Sequence, residues 1–230
     1  MATFQGFSPQ LIEFFAGLEK NNSKAWFEKH RAVYETHVKQ AMLDFVDAVG
    51  QRLAEVSPEF VADPRINGSV YRIYRDVRFS KNKLPYKTHT AAVFFHRYGK
   101  KHEYPGFYFQ ISHRGIYWGA GHFKIDSEQL TRIRAFLARN PGMWQAITAD
   151  PVFRERFGEV YGERLTRPPK GFDADHPLID VLKMKQYLVR HEGDYAAFLE
   201  TDEIVEETIR IYQDAAPFVE LLCIALGIPF

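Results

Sequence analysis

Apolar residues recur at steps of three and four over the first quarter of the chain. Leu11, Ile12, Phe14, Phe15 and Leu18 follow a Ser8-Pro9 start signal and predict a first helix ending near Asn21-Asn22. Ser23 caps a second stripe, Phe27, Tyr34, Val38, Ala41, Phe45, Val49, Leu53 and Val56. Unbroken, that stripe would make a helix of ~50 Å at 1.5 Å per residue, too long for a compact domain, so a break or bend is expected before Ser57-Pro58 ends it. From Gly68 the period shortens. Val70 to Arg75 and Thr90 to Phe95 are rich in β-branched and aromatic residues and read as strands. Phe107 to Ile111 and Ile116 to Trp118, joined by Ser112-His113-Arg114-Gly115, read as a hairpin.

Helical spacing then returns. Asp126 or Ser127 opens a helix carrying Leu130, Ile133 and Leu137 and closed by Asn140-Pro141-Gly142, with a shorter helical pair following to Phe157. The stretch Arg164 to Pro177 holds Pro168, Pro169, Lys170, Gly171, Phe172 and Pro177 and predicts an ordered loop. A short helix over 178–184, a last strand over 186–189 and one or two closing helices over 201–226 complete the pattern. The fold class is therefore α+β. A central antiparallel β-meander is flanked by N-terminal and C-terminal helices, in a single domain spanning 1–230. No repeat, low-complexity tract or linker interrupts it.

Composition changes this picture little. At 230 residues with twenty Phe, twelve Tyr and three Trp, the chain can bury a substantial core. Cys223 is the only cysteine and lies in an apolar run, which excludes an internal disulfide and a cysteine zinc finger and predicts an inert buried thiol. Residues 1–7 carry neither a basic nor an apolar leader pattern, and no segment reaches the ~18 apolar residues of a membrane span. The expectation is a cytoplasmic protein with no membrane partner.

Charge changes it more. The formal net charge is +1, yet Arg72 to Lys87 holds Arg72, Arg75, Arg78, Lys81, Lys83 and Lys87 against the single carboxylate of Asp76. Solvated charge runs usually mix their signs, so this segment is suited to meet an anion. In strand geometry Arg72 and Arg75 face opposite ways, so either a bulge re-aims one of them or, as is expected, Arg75 pairs with a carboxylate such as Asp76 or one from a helix, leaving Arg72 and Arg78 for a ligand. Guanidinium forks suit phosphate or carboxylate, and the lysines add point charges. The bland reading is that the arginines bridge sheet to helix through Glu13, Glu28 or Glu35. Exposed pairs of that kind contribute at most ~1 kcal/mol each, a weak reason to collect so many cations.

Tyr71, Tyr74, Phe79 and Tyr86 interleave with the cations, as in a base-stacking platform or an ordinary sheet core. Gly119-Ala120-Gly121-His122 follows a strand and precedes a helix, a place where backbone N–H groups cradle oxyanions, although it matches no nucleotide fingerprint. Asp173, Asp175 and His176 share one loop without a second spaced donor cluster, so no metal site is assigned and no cofactor is named. His89, His113 and His122 lie near the meander. Asp76, His89 and His122 are the candidates for acid–base chemistry, and Lys170 joins the anion-binding set from the proline-rich loop.

Four stretches carry a family likeness: Asn21 to Phe27, Arg72 to His89, Gly119-Ala120-Gly121, and Pro169-Lys170-Gly171-Phe172. The most specific reads Arg75, Asp76, Arg78, Phe79, Ser80, Lys81, Lys83, Pro85, Tyr86, Lys87 and Thr88. Together they resemble the domain of unknown function 2461 family over nearly the whole chain. The resemblance implies one α+β domain and supplies no activity, substrate or cofactor. Asn82 stands where the family pattern commonly carries an acidic residue, which makes this segment more positive. Three functions follow as expectations. The first is a basic, aromatic-walled pocket for a phosphate- or carboxylate-bearing small molecule, with enzyme status open. The second is an RNA or single-stranded nucleic-acid module, and the third a structural or protein-interaction domain. Oligomeric state is left open.

Overall fold

The computed structural model describes residues 4–230; the leader reading of residues 1–7 falls partly on residues 1–3, which lie outside the described residues. Helix α1 is Pro9–Lys20, with Pro9 in its first turn and Leu11, Phe14, Phe15 and Leu18 buried. Ser23 caps α2, Lys24–Lys29, by accepting a hydrogen bond from the Trp26 amide. The long stripe is broken, as its length requires. After α2 the chain restarts as α3, Arg31–Val33, passes through a π-helical segment, Tyr34–Gln40, and continues as α4, Ala41–Arg52. A π turn takes in an extra residue. It re-phases the stripe so that Tyr34, Val38, Met42, Phe45, Val46 and Val49 all stay buried.

Five strands follow: β1 Phe60–Val61, β2 Thr90–His96, β3 Gly106–Ser112, β4 Gly115–His122 and β5 Tyr187–Gly193. They form one antiparallel sheet in sequence order. The β3–β4 hairpin turns through His113-Arg114, pairing Ser112 with Gly115. Between β4 and β5 come α5 Ser127–Arg139, α6 Pro141–Ala149, α7 Pro151–Phe157 and the short α8 Ile179–Leu182; α9, Glu203–Leu226, closes the chain. Asp126 and Gln129 form a reciprocal capping box on α5.

Strand alternation gives the sheet two unlike faces. Phe94, Phe107, Phe109, Ile116, Trp118, Ala120 and Val189 are buried on the helical side. There Phe109 meets Phe7 and Phe45, with ring centroids 6.0 and 4.3 Å away, Phe107 stacks on Tyr212 at 4.7 Å, and the Trp118 indole donates to the Thr208 hydroxyl at 2.9 Å. Cys223 is buried in α9, and desolvation pushes its thiol up to about 12. The opposite face carries Ala91, Val93, Phe95, Gly106, Tyr108, Tyr117, Gly119 and Leu188. Among the described residues the helices pack on the other face.

Two sequence expectations need correction. Val70 to Arg75 is not a strand. Its pairing is limited to isolated bridges, Val70 with Ile66 and Ala92 and Tyr74 with Tyr86. The reason is on the partner side, where Pro85 has no N–H to offer and only its carbonyl takes part, accepting from the Arg75 amide. The Gly119 to His122 run is no helix-terminal cradle either. It lies inside β4, its backbone paired to β3 and β5, and α5 begins five residues later at Ser127.

Candidate functional site

The basic segment forms an arm. Backbone bonds Arg75 N to Pro85 O and Lys87 N to Ile73 O zip its two limbs, and the residues between them project from the fold. Asn22 pins its root: the side-chain amide donates to the Tyr86 carbonyl at 3.0 Å and accepts from the Tyr86 N–H at 3.1 Å, as a neighbouring strand would. The Tyr86 ring is buried and stacks on Phe27 at 4.3 Å. At the tip Phe79 is 95% exposed.

The Arg75–Asp76 pair expected from alternation does not form. Asp76 instead takes a bidentate ion pair with Arg78, at 3.0 and 2.7 Å, and the guanidinium holds its carboxyl down to about 2. Two residues apart on an irregular arm, those side chains reach each other without crossing a strand. The Lys83 ammonium donates to the Val77 carbonyl at 2.9 Å. Arg72, Lys81 and Arg78 are exposed and Arg75 is half-buried. Glu28 and Glu35, offered as partners for these arginines, pair with Arg31 and Lys39 instead.

Where the arm leaves the sheet, its base walls one side of a chamber of about 590 Å³ on the helix-free face. The floor mixes the small residues Ala91, Gly106 and Gly119 with Val93, Phe95 and Leu188, and opens widest where Gly106 and Gly119 lie diagonally across β3 and β4; five tyrosines, Tyr71, Tyr104, Tyr108, Tyr117 and Tyr161, line the sides. A Cβ on Gly119 would sit 3.1 Å from the Tyr117 ring and 3.5 Å from Tyr108, so glycine keeps the floor flat between two aromatic walls. Tyr117 and Tyr161 are joined hydroxyl to hydroxyl.

Lys87, Lys124, His89 and His102 supply the basic lining, and among the described residues no Asp or Glu lines the chamber. The Lys87 ammonium donates to the Arg72 carbonyl at 3.0 Å, leaving N–H groups for a ligand. Desolvation and the nearby Arg72 charge lower its pKa. Desolvation, reinforced by Lys87, depresses His89 to about 4; His102 is likewise depressed to about 4 by desolvation, with Lys124 and Lys101 adding to it. Both rings are neutral at pH 7. His102 holds φ +72° and is hydrogen-bonded to the Tyr71 hydroxyl at 2.5 Å, a left-handed backbone that aims a side chain into a cavity.

Lys101 has a different job. Its ammonium sits 3.6 Å from the centre of the Tyr71 ring and donates to the carbonyls of Gly68 and Ser69 at 2.8 and 3.1 Å. Burial brings it down to about 8. With its donors engaged it fastens the loop carrying His102 to the base of the arm.

Of the seven cations picked from sequence, Lys87 lines the chamber; Arg72 stands beside it, and Arg75, Arg78, Lys81 and Lys83 belong to the arm. Lys170 is exposed in the proline-rich loop and is not among the lining residues, although Phe172 of that loop packs on the core. Among the acid–base candidates only His89 faces the chamber. His122 is buried on the opposite side of the sheet against Gln129, and Asp76 is held by Arg78 on the arm. In the proline-rich loop both ring nitrogens of His176 are engaged, with Ala138 O and Leu178 N. A second hollow of about 680 Å³ beside α6 and α7 contains none of the selected residues.

A model of one family, described as "Conserved hypothetical protein (DUF2461)", matches residues 10–221. The chain belongs to the DUF2461 family. No curated protein matches it. All of the chamber-lining residues lie within the matched span, so the chamber is part of the DUF2461 body rather than an appendage to it. Sequence reasoning missed Lys124, His102 and the tyrosines of β3 and β4. The available signal was strand alternation: Tyr108 and Tyr117 share a face with Gly119, opposite the Phe107, Phe109 and Trp118 core.

Proposed function

We propose that this DUF2461 protein binds an anion-bearing small molecule in the chamber on the helix-free face of its sheet. The observation that carries this reading is the lining itself, two lysines and two uncharged imidazoles among five tyrosines, without a carboxylate. Concave, largely apolar cavities of this size with a few converging polar groups are the usual form of a ligand site. Lys87 is the counter-charge, with N–H groups to spare, and the tyrosine hydroxyls and imidazoles orient the ligand. His89 is the one acid–base candidate placed to meet it. The remaining arm cations draw anions toward the opening.

Native mass spectrometry of the purified protein, with thermal melts in a set of phosphates and carboxylates, tests this. A ligand at 100 times its Kd adds ~2.7 kcal/mol, which for a chain of this size raises Tm by about 5–10 °C. The shift should vanish in Lys87→Met. Absence of any retained anion, together with equal shifts in parent and variant, would overturn the reading in favour of a general salt effect.

A second reading, binding of single-stranded nucleic acid, is favoured by one observation. Phe79 presents a free aromatic face at the tip of an arm bearing Arg78, Lys81 and Lys83. Such proteins usually offer a row of stacking rings along a groove. Here Tyr86 is buried, Tyr71 lines the chamber and Tyr74, though 46% exposed, packs on Phe27 and Tyr86, so the small-molecule reading is preferred.

A further inference from the structure

We infer that the ligand of this chamber is a flat aromatic ring system carrying a phosphate group, the ring lying on the glycine floor and the phosphate at Lys87 and Arg72. This rests on the small-molecule reading above and names its substrate class.

The ring follows from shape. Gly106 on β3 and Gly119 on β4 are diagonal neighbours on the sheet and open a side-chain-free gap there, edged by Val93, Tyr108 and Leu188, with Tyr71 and Tyr117 beside it. Rings prefer offset-stacked or edge-on neighbours, and a slot bounded by tyrosines offers both. An aliphatic anion would leave those faces uncovered. A volume of about 590 Å³ is also more than a bare inorganic anion fills.

The phosphate follows from charge. Lys87 bonds to the carbonyl of Arg72, which roots the Arg72 side chain next to the chamber wall formed by Tyr71, and the Arg72 charge helps lower the Lys87 ammonium. Lys124 lines the same chamber, and Lys101 adds a further charge behind Tyr71. The acids closest to this group are committed elsewhere, Asp63 to Arg65 and Asp76 to Arg78. One carboxylate would neutralise one cation and leave the others repelling. A phosphate near pH 7 carries up to two charges and three acceptor oxygens, enough for the free N–H groups of Lys87 and the fork of Arg72. The neutral imidazoles of His89 and His102 and the tyrosine hydroxyls add hydrogen bonds without adding charge.

Matched ligand pairs test this by calorimetry: FMN against riboflavin, AMP against adenosine, and 4-nitrophenyl phosphate against 4-nitrophenol. Inorganic phosphate and 4-nitrobenzoate serve as the ring-free and carboxylate controls. At least one phosphorylated compound should bind tenfold or more tightly than its unphosphorylated partner, than inorganic phosphate and than 4-nitrobenzoate. Arg72→Ala, at an exposed side chain whose loss does not threaten folding, should remove most of the preference for the phosphorylated member. Gly119→Val, checked for an unchanged circular dichroism spectrum, should weaken the ring compounds and leave inorganic phosphate binding as before. If 4-nitrobenzoate binds as tightly as 4-nitrophenyl phosphate, or Arg72→Ala keeps the full preference, the phosphate assignment is wrong while the anion site stands. If no phosphorylated compound exceeds its partner, the inference is overturned outright. Loss of every anion, carboxylates included, would remove the underlying reading as well.

Discussion

At the scale of single residues the chamber is a place where burial and charge act together on histidine. His89 and His102 are depressed to about 4 by desolvation, with neighbouring lysines adding to it, and His122 reaches about 4 through desolvation on the other side of the sheet. Their contribution to stability is fully present above the unfolded value near 6.5 and is lost as pH falls toward 4. In that window the unfolded chain binds protons that the folded chain refuses. A well-buried group of this kind gives a slope of up to ~1.4 kcal/mol per pH unit, and the more exposed, solvent-screened His102 gives less. Urea midpoints should therefore fall steeply between pH 6.5 and pH 4, and His102→Gln should flatten the fall by up to one proton. A midpoint unchanged from pH 7 to pH 5 would contradict this account of all three rings. None of these environments was legible in the sequence. A histidine's pKa is set by what folds around it, and His89, His113 and His122 look alike as letters; only His89 proves to face the chamber.

At the scale of elements, the sequence was most readable where one local rule acts unopposed. Ser8-Pro9, the Asp126 start of α5 and the His113-Arg114 turn all sit where period and punctuation place them. It failed where local preference met a constraint from elsewhere. The aromatic and β-branched stretch from Val70 has strand propensity, yet Pro85 and the Asn22 side chain turn it into a pinned arm. Gly119 and Gly121 read as a phosphate loop because glycine has two uses. Inside a sheet its use is space: Gly121 sits at φ +121°, and a Cβ there would lie 2.0 Å from the Tyr187 carbonyl oxygen. The Asn22 clamp has a measurable value. Asn22→Ala removes both hydrogen bonds to Tyr86 and leaves a half-buried backbone pair without partners, which should cost about 1–3 kcal/mol. Because the clamp holds the arm rather than the core, the same change should speed proteolytic nicking between Arg78 and Lys87 well before global unfolding. An arm as resistant as the parent's would show that Phe27–Tyr86 stacking alone holds it.

At the scale of the whole molecule the charges are sorted rather than balanced. The stretch from Arg72 to Lys87 carries six cations and one carboxylate, a net +5, so the rest of a chain totalling +1 sums to −4. Among the described residues no helix is long and apolar enough to cross a membrane. The α+β architecture was readable from the sequence as a whole, because the change from helical to alternating spacing and back is a property of long windows. Which face of the sheet stays free of helices was not, since that depends on where α1, α4 and α9 pack. The sorted charge separates the two binding readings. If the arm tracked a nucleic-acid strand, each neutralised phosphate would add about −0.7 to the log–log dependence of affinity on salt, so four contacts would give a slope near −2.8. With Phe79 fully exposed and Tyr74 46% exposed, the arm offers at most two rings for stacking, and a single-stranded RNA 20-mer should bind weakly at physiological salt with a shallower slope. Fluorescence anisotropy from 50 to 300 mM salt measures both quantities. Sub-micromolar binding with a slope of −2.8 or steeper, lost in Phe79→Ala and kept in Lys87→Met, would move the function from the chamber to the arm.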